Sequence, residues 1–504
     1  MSVRLTGRDL VPASLAAIAR DRAPVVIDPD ARERIAASAG VVTRAVWEGR
    51  PVYGVTTGLG PRVVDPVAGA EAAVFSTRTL RGRANAVGPP LSSELSRAAM
   101  AVRLNGLCAG GAGAGLAVAE GLAALLNAGV DPVIPGSGSI GAADLCLLAH
   151  MGLVLIGEGE AELDGERLAG DEALRRAGLA PIALGPKDGL ALCSSSAVSV
   201  GAAALAWLDG QAALSAAQVS AALAMEGFRA NLSPLDPRVV AARPAPGQDW
   251  AATGLRSLLA GGTLDQAGGA RRLQDPLSFR CASQIHGALR SALGLVEAAL
   301  APELSGAADN PLVLVDDDEI LSTGNFHVPA LAMALDATAI AVAQVASAIT
   351  ERTARLRTER LSGLPATLVA DDVTRSGAAP LGKTAQALTL EIRHLAAPLA
   401  IHATVGADGV EDDSTGATQA AVRLRDQVQR FELLVAVELL VAAQAIELAA
   451  PGVLGRGTAA AQACVRETVA PLGEDRPLGP EVQQLVERSV RSGELLARVR
   501  AALT

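Results

Sequence analysis

Aromatic side chains are scarce in this 504-residue chain, which has one tyrosine, three tryptophans and five phenylalanines, or 2% of all residues. Hydrophobic residues nevertheless make up 50% of the sequence, so a core has to be built mainly from alanine, leucine and valine. Alanine-rich sequence of this kind favours helices over sheets. The chain is long enough to bury a substantial core, either in two domains or in one large helical assembly.

Cysteines are few, and their spacing excludes the usual disulfide and zinc frameworks. The five lie apart in apolar segments and form no CxxC pair: Cys108, Cys146, Cys193, Cys281 and Cys464. Buried free thiols are therefore the expected state, and no metal site is predicted.

Basic blocks and a clear membrane span are also missing. The formal net charge is −10 and the charges are dispersed, which disfavours nucleic-acid binding. The longest uncharged run, residues 189–208, nearly reaches membrane-spanning length but contains several serines and small residues. We interpret it as a buried helix. With no signal-peptide pattern at the start of the chain, the sequence predicts a cytoplasmic protein without membrane or nucleic-acid partners.

Helical patterns cover most of the chain. Asp28 and Pro29 have the residue types of a helix cap and first turn, and they predict a helix that ends near Gly49. Residues 161–168 and 312–321 are typical of short hairpins.

The helices are predicted to lengthen beyond residue 200. Residues 283–301 carry one apolar stripe at spacings of three and four, and residues 327–357 and 418–449 form longer helical segments. Few faces of these segments are polar, so neighbouring helices have to cover them. The pattern indicates a helix bundle that partner subunits complete.

The stretch from Ile134 to Glu160 is the most informative for function. It begins with a loop of glycines and serines and continues through Ala142, Ala143 and Asp144 into an apolar helical run. A glycine-rich turn before a helix directs free N–H groups and partial positive charge at whatever lies there. The alternative is an ordinary helix start with Asp144 as a cap or first-turn acid.

Residues 135–142 read PGSGSIGA and are followed by DL, LAHM and GEGEA. This order resembles the histidine and aromatic amino-acid ammonia-lyase family. The resemblance implies a mainly α fold, a fumarase/aspartase-like bundle of long helices with a smaller N-terminal loop-and-helix domain. It implies an N-terminal domain over residues 1–205, which carries the loop 134–160, and the bundle over 206–504. A homotetramer with active sites shared between subunits is also expected.

Further matches to the family cover most of the chain and imply roles for individual residues. Tyr53 lies in YGVTTG, which resembles the loop of the catalytic tyrosine, and Arg280 resembles the arginine that binds the substrate carboxylate. A guanidinium suits that task because its fork binds a carboxylate bidentately. The other residues that match substrate-binding positions are Gln274, Asn310, Phe326 and Glu411. The alternatives are a tyrosine that fills a packing gap, an ordinary ion pair for Arg280, and a solvated acidic turn around Glu411.

The differences from the family lie at the positions that form MIO and at other positions of the family's active site. In the family the loop contains Ala-Ser-Gly, which cyclises into the electrophilic methylidene-imidazolone group, MIO. This chain has only Ala142 and Ala143 before Asp144, one residue fewer and no serine. Ser194 takes the place of an asparagine that supports MIO, Leu277 that of a second tyrosine, and residues 80–88 contain no histidine where the family has a Ser-His pair.

These differences indicate a carbon–nitrogen lyase that uses no cofactor, because the serine that forms MIO is absent. A quaternary ammonium leaves as a neutral amine and has no lone pair with which to attack MIO. A base, a carboxylate clamp and electrostatic stabilisation then suffice. Ergothionases form such a branch of the family and expel trimethylamine from ergothioneine to give thiourocanate. In them a lysine and a glutamate approach the thiourea ring. Glu411 matches that glutamate, and Lys383 lies at the start of a predicted helix in the corresponding part of the chain; the alternative for Lys383 is a solvated side chain.

Three hypotheses therefore remain. The first is amine elimination from a histidine-like or aromatic amino acid or its betaine, with ergothionase activity as the specific case. The second is a histidine or aromatic amino-acid ammonia-lyase or aminomutase that uses an unconventional cyclised loop. The third is a catalytically silent scaffold that keeps the lyase fold. Retention of Tyr53, Arg280 and Glu411 together argues against the scaffold, which needs none of them.

Overall fold

The fold is mainly helical, as predicted. The structure is a computed structural model, and it describes residues 2–369, 374–401 and 406–504. Its α-helices are α1 (Pro12–Ala19), α2 (Pro29–Trp47), α3 (Ala72–Arg83), α4 (Ser93–Cys108), α5 (Leu116–Ala128), α6 (Leu145–Leu155), α7 (Gly170–Arg176), α8 (Asp188–Cys193), α9 (Ala197–Phe228), α10 (Pro237–Ala242), α11 (Gln248–Leu259), α12 (Leu277–Arg280), α13 (Ala282–Ser305), α14 (Pro329–Leu356), α15 (Glu359–Ser362), α16 (Leu381–His394), α17 (Ala417–Ala449), α18 (Arg456–Thr468), α19 (Gly479–Leu485) and α20 (Glu494–Leu503).

The strands are short and form small separate sheets. They are β1 (Val3–Leu5), β2 (Val25–Ile27), β3 (Val87–Pro90), β4 (Asp131–Pro132), β5 (Pro135–Ser137), β6 (Glu160–Leu163), β7 (Glu166–Ala169), β8 (Leu312–Leu314) and β9 (Glu319–Leu321). β1 and β2 pair in parallel, β3 pairs with β5, β4 joins the β6–β7 hairpin, and β8 pairs with β9. Both predicted hairpins are confirmed, the first turning at Asp164 and Gly165.

The chain forms two compact units. The first consists of Met1–Ala206, Val296–Leu335 and Pro398–Val422, and the second of Trp207–Leu295, Asp336–Ala397 and Arg423–Thr504. The boundary at residue 205, placed from the sequence, stays a prediction.

Local sequence signals explain where the helices start and end. The Asp28 carboxylate accepts a hydrogen bond from Asp30 N at 3.0 Å, with Pro29 in the first turn of α2. Ser92 caps α4, its hydroxyl accepting from Leu95 N at 3.4 Å. Gly129 ends α5 in the left-handed conformation, which suits glycine because it lacks a Cβ.

The apolar run at residues 189–208 is helical and buried, as interpreted from the sequence. It lies in α8 and the start of α9, which Ser194, Ser195 and Ser196 separate. Residues 188–228 and helix α14 are long and apolar enough to cross a membrane by length and composition, yet their apolar windows are 100% and 67% buried. The five thiols are free, three buried and two half-buried.

Buried polar contacts tie the long helices together within the second unit. Arg352 of α14 and Glu438 of α17 form a fully buried ion pair, with Nε and Oε1 2.6 Å apart. Ser220 of α9 donates to the same carboxylate at 2.5 Å. A buried carboxylate is stable only when paired and hydrogen-bonded in this way, so these contacts fix the register of the three helices.

In the first unit, a small apolar cluster supports the loop that follows α2. Its buried members are Val41, Val42, Ala45, Val52, Val55, Ala72 and Val313. They come from α2, the first residue of α3, β8 and the loop at residues 52–55. Because Val52 and Val55 are anchored here, the residues between them are held in a fixed turn.

Candidate active site

A cavity of about 260 Å³ in the first unit brings together most of the residues singled out in the sequence. Those that line it are Tyr53, Ala142, Ala143, Ser194, Asn310, Phe326 and Glu411. They come from six separate stretches of the chain, so the cavity is a product of the tertiary fold. Arg83 and several apolar residues complete its wall.

Tyr53 is positioned by the turn between Val52 and Val55. Its phenol oxygen accepts a hydrogen bond from Gly60 N at 2.9 Å. A fixed backbone donor stabilises negative charge on that oxygen. Gly54, at φ +68°, lets the turn pass closely under Leu190, since a Cβ there would lie 2.6 Å from the leucine Cδ2. The turn therefore presents a half-buried phenol to the cavity with its oxygen held in place.

Asp144 organises the loop whose Ala142 and Ala143 line the cavity. It is fully buried, and its carboxylate accepts hydrogen bonds from Ser139 Oγ at 2.9 Å, Ser199 N at 2.8 Å and Thr418 Oγ1 at 2.8 Å. Ser199 Oγ donates to both carboxylate oxygens, at 3.0 and 3.1 Å. Burial raises the pKa of Asp144, and the hydrogen bonds oppose that rise. The aspartate is thus the centre of a polar network and more than a simple helix cap.

The loop itself is tightly fitted. Gly141 has φ +83°, and a Cβ there would lie 2.7 Å from Gly416 N and closer still to Thr415 Oγ1. Thr415 Oγ1 donates to Gly141 O at 2.9 Å, and Asp144 N donates to Ser195 O at 2.8 Å. Ala143 adopts φ +59°, which is unfavourable for a residue with a Cβ. The network around Asp144 holds this strained residue at the cavity wall.

Ser194 and Asn310 both line the cavity and contact each other. The hydroxyl of Ser194 accepts from Asn310 N at 3.2 Å and contacts Asn310 O at 3.3 Å. The side-chain oxygen of Asn310 accepts from Thr323 N at 2.9 Å, which leaves the amide NH₂ to donate to a ligand. Beneath it, Asp309 forms a buried ion pair with Arg103 whose closest atoms, Oδ1 and Nη2, are 2.6 Å apart.

Arg83 is a charged residue of the cavity wall for which the sequence predicts no role. It ends α3, within the segment where the resembling family has its Ser-His pair. Its guanidinium has no hydrogen bond or ion pair with any residue that the structure describes. Residues 80–88 contain no histidine, and a lone arginine at a helix end carries no local signal that it lines a cavity.

Three residues predicted from the sequence belong to the second unit. Arg280 is half-buried at the end of the short helix α12, Gln274 is exposed, and Lys383 is exposed in the first turn of α16. Their roles in substrate binding stay predictions. A larger cavity of about 590 Å³ in the same unit has none of the predicted residues in its lining, so the smaller cavity is the better candidate site.

Comparison with known proteins assigns the fold and the reaction class. The sequence profile of the aromatic amino acid lyases matches residues 10–467. The chain belongs to this family.

The histidine ammonia-lyase of Symbiobacterium thermophilum is 41% identical, with 98% of each chain covered. That of Anaeromyxobacter dehalogenans is 38% identical over 97% of this chain and 99% of its own. The protein is therefore a carbon–nitrogen lyase.

Solved lyase structures superpose over nearly the whole chain. Histidine ammonia-lyase from Trypanosoma cruzi is 31% identical, with a TM-score of 0.93 over 100% of this chain and 96% of its own. Ergothionase from Treponema denticola, solved with desmethyl-ergothioneine sulfonic acid, is 29% identical, with a TM-score of 0.92 over 98% and 100%. The fold predicted from the sequence is confirmed.

The residues of this lyase do not fit an MIO group. MIO formation needs a serine whose hydroxyl is lost, and the wall of the cavity has Ala142 and Ala143 at that place. The nearest serine in the loop, Ser139, donates to Asp144 and precedes Gly141. The backbone N–H of Asp144 donates to Ser195 O, so this group is already engaged in an ordinary hydrogen bond.

The intact protein should therefore have the full mass of its sequence. No dehydratable side chain stands in the loop at residues 142–143, so maturation should remove no water. Mass spectrometry of the undigested chain measures this directly. A deficit equal to two water molecules, which accompanies MIO formation in the family, would show that another residue of the chain supplies the group.

Proposed function

We propose that this lyase eliminates an amine from a histidine-like amino acid betaine without an MIO group, with ergothioneine as the specific substrate. One observation carries the proposal: at the place in the cavity wall where the family's electrophile forms from a serine, this chain has Ala142 and Ala143, although Tyr53 and Glu411 line the same cavity. The family resemblance assigns these two residues to proton removal and to the substrate side chain. The chain thus keeps the residues assigned to elimination, Tyr53 and Glu411, but lacks the serine that forms the electrophile.

The reaction needs only one proton transfer. Tyr53, acting as the phenolate, takes the proton from Cβ. The electron pair of that C–H bond forms the Cα–Cβ double bond, and the electrons of the C–N bond leave with the amine. A quaternary ammonium departs as a neutral tertiary amine, so it needs no electrophilic activation. The hydrogen bond from Gly60 N holds the phenol oxygen for this transfer.

The composition of the cavity supports a betaine. Two of the chain's nine aromatic residues (three Trp, one Tyr, five Phe), Tyr53 and Phe326, line this one cavity. Aromatic faces attract quaternary ammonium groups. Asn310 offers a free amide NH₂ to the same space. Arg280 is proposed to bind the substrate carboxylate, in a homotetrameric cytoplasmic enzyme whose active sites are shared between subunits.

Product analysis tests the proposal. The protein is offered ergothioneine, hercynine, histidine, phenylalanine and tyrosine, and the products are identified by mass spectrometry. We expect thiourocanate and trimethylamine from ergothioneine and no ammonia from the three free amino acids. Ammonia from histidine, with no product from either betaine, would overturn the proposal.

Histidine ammonia-lyase activity is the second candidate. The identities of 41% and 38% to histidine ammonia-lyases over nearly the full chain favour it. The missing serine is the observation against it. The same panel of substrates distinguishes the two, because one releases ammonia and the other a tertiary amine.

Arg280→Lys should weaken substrate binding although the charge is kept. The guanidinium binds a carboxylate with two parallel hydrogen bonds, whereas an ammonium acts as a point charge. We expect a loss of about 2–3 kcal/mol, the range of hydrogen bonds to charged groups, measured from kcat/KM on the accepted substrate. A ligand that lacks the carboxylate should bind both proteins equally. Unchanged kcat/KM would remove Arg280 from the site.

A further inference from the structure

Arg83 is a positive charge without a partner in the proposed active site. It is half-buried at the end of α3 and lines the cavity with Tyr53 and Glu411. No carboxylate of the described residues lies within ion-pair distance of it. Its neighbour on the helix, Arg81, instead forms an exposed pair with Glu158, with Nε and Oε2 3.0 Å apart. Partial removal of a charge from water is unfavourable unless an acceptor offsets it, so Arg83 is available to a ligand.

Glu411 also lines the cavity, and its negative charge likewise pairs with no residue that the structure describes. Its backbone pairs with Gly406, whose N–H donates to Glu411 O at 2.7 Å, but its carboxylate has no hydrogen-bond partner among the described residues. Glu411 and Arg83 do not pair with each other. Among the residues that the structure describes, neither the Glu411 carboxylate nor the Arg83 guanidinium in this cavity therefore has a partner.

Both charges act on a thiol next to a residue of the cavity wall. Both influence the thiol of Cys146, in the first turn of α6: burial raises its pKa, Arg83 opposes that rise and Glu411 adds to it. Leu145, the residue before this cysteine, lines the cavity as well. The shared lining of the cavity and the shared influence on Cys146 are the observations that group Arg83 with Glu411, the residue assigned to the substrate side chain.

We propose that Arg83 and Glu411 together select a substrate whose ring carries an N–H donor beside an electron-rich acceptor atom, a thione sulfur or a carbonyl oxygen. The proposal rests on the function proposed above and names the class of side chain. Glu411 accepts the ring N–H, and the guanidinium of Arg83 donates to the acceptor atom. Arg83 is thus a specificity-determining residue of the site.

Other ring types leave a charge unpaired. A phenyl side chain satisfies neither Arg83 nor Glu411, and both then stay desolvated without a partner. A plain imidazole offers its N–H to Glu411, but its one acceptor, the second ring nitrogen, projects from the other side of the ring and not beside that N–H. A carboxylate side chain pairs with Arg83 but is repelled by Glu411. A ring with adjacent donor and acceptor pairs with both.

Equilibrium binding of two product-like acids tests this selection. The probes are trans-urocanate and its 2-thio derivative, which differ by the sulfur at C2 and the second ring N–H that accompanies it, and calorimetry measures both on the full-length protein. The wild type should prefer the thio compound by about tenfold or more, the value of one good hydrogen bond to a charged group. Arg83→Gln should reduce the preference to about twofold or less, and Arg83→Lys should keep part of it.

Arg81→Gln is the matched control, since Arg81 lies on the same helix and pairs on the exposed surface. It should leave the preference unchanged. A preference retained in Arg83→Gln, or lost equally in Arg81→Gln, overturns the assignment. If Arg83→Gln does not fold, the preference measured in Arg83→Lys decides. A preference equal to that of the wild type in Arg83→Lys also overturns the assignment of Arg83. The ratio of the binding constants of the two probes does not depend on turnover. Failure to release an amine would therefore refute the proposed function, whereas the role of Arg83 could still be measured.

Discussion

Tyr53→Phe should lower kcat by about 10²–10⁴-fold, the usual contribution of a positioned general base. The substitution keeps the ring, which fills the turn anchored by Val52 and Val55. It removes only the oxygen that Gly60 N contacts at 2.9 Å. Substrate should still bind, because the residues proposed to hold its carboxylate and side chain are untouched. Steady-state kinetics together with equilibrium binding of a product-like acid separates the two effects.

The outcome distinguishes a catalytic tyrosine from a packing tyrosine. Circular dichroism and the elution volume in gel filtration should match those of the parent protein. A variant that turns over at the parent rate would show that another group takes the Cβ proton, and Glu411 would be the next residue to test. Loss of binding together with turnover would instead assign Tyr53 to binding.

Asp144→Ala should cause the largest loss of stability among substitutions near the site. Three side-chain hydroxyls and one backbone N–H lose their acceptor: those of Ser139, Ser199 and Thr418, and Ser199 N. Breaking a fully buried charged network typically costs about 3–5 kcal/mol. Urea denaturation of both proteins at one chain concentration measures the change, since assembly makes stability concentration-dependent.

Two milder variants make this prediction specific. Asp144→Asn keeps one acceptor for Ser199 N, and the neighbouring hydroxyls can rotate to accept from its amide. Ser199→Ala removes a single hydroxyl, which is worth about 1 kcal/mol. Both should lose less than Asp144→Ala. Equal stability of all three variants would contradict the view that Asp144 holds the loop and its left-handed Ala143 in place.

Local sequence signals are sufficient for much of the fold. Asp28 with Pro29 marked the start of α2, Asp164 with Gly165 the turn between β6 and β7, and apolar spacing the long helices. These features depend on residues that are close in sequence, so they can be inferred from propensity and periodicity. The helical fold class also followed from the alanine-rich composition, and the superposition on solved lyases confirms it.

The contents of the cavity are harder to infer because they depend on distant contacts. Tyr53, Asn310 and Glu411 could be named from family resemblance, and the structure brings them together. Arg83 could not be named from the sequence, because a guanidinium at a helix end is usually solvated and no neighbouring residue indicates a cavity. The Arg103–Asp309 pair, separated by more than 200 positions, likewise has no local signature.

The role of Asp144 was underestimated for a similar reason. Its place before α6 suggested an ordinary cap or first-turn acid. Two of the hydroxyl groups that bind it, those of Ser199 and Thr418, lie 55 and 274 positions away in sequence. Only the tertiary structure shows that the carboxylate joins three separate segments behind the cavity wall.

Turnover after borohydride treatment tests the central claim, elimination without an electrophilic prosthetic group, most directly. Borohydride reduces MIO and removes its near-UV absorption band, whereas it leaves tyrosine, arginine and carboxylate side chains unchanged. The treated protein should release tertiary amine from the betaine substrate at the same rate as the untreated protein, with no band lost. Inactivation accompanied by loss of a near-UV band would contradict the account and place an electrophile in this site.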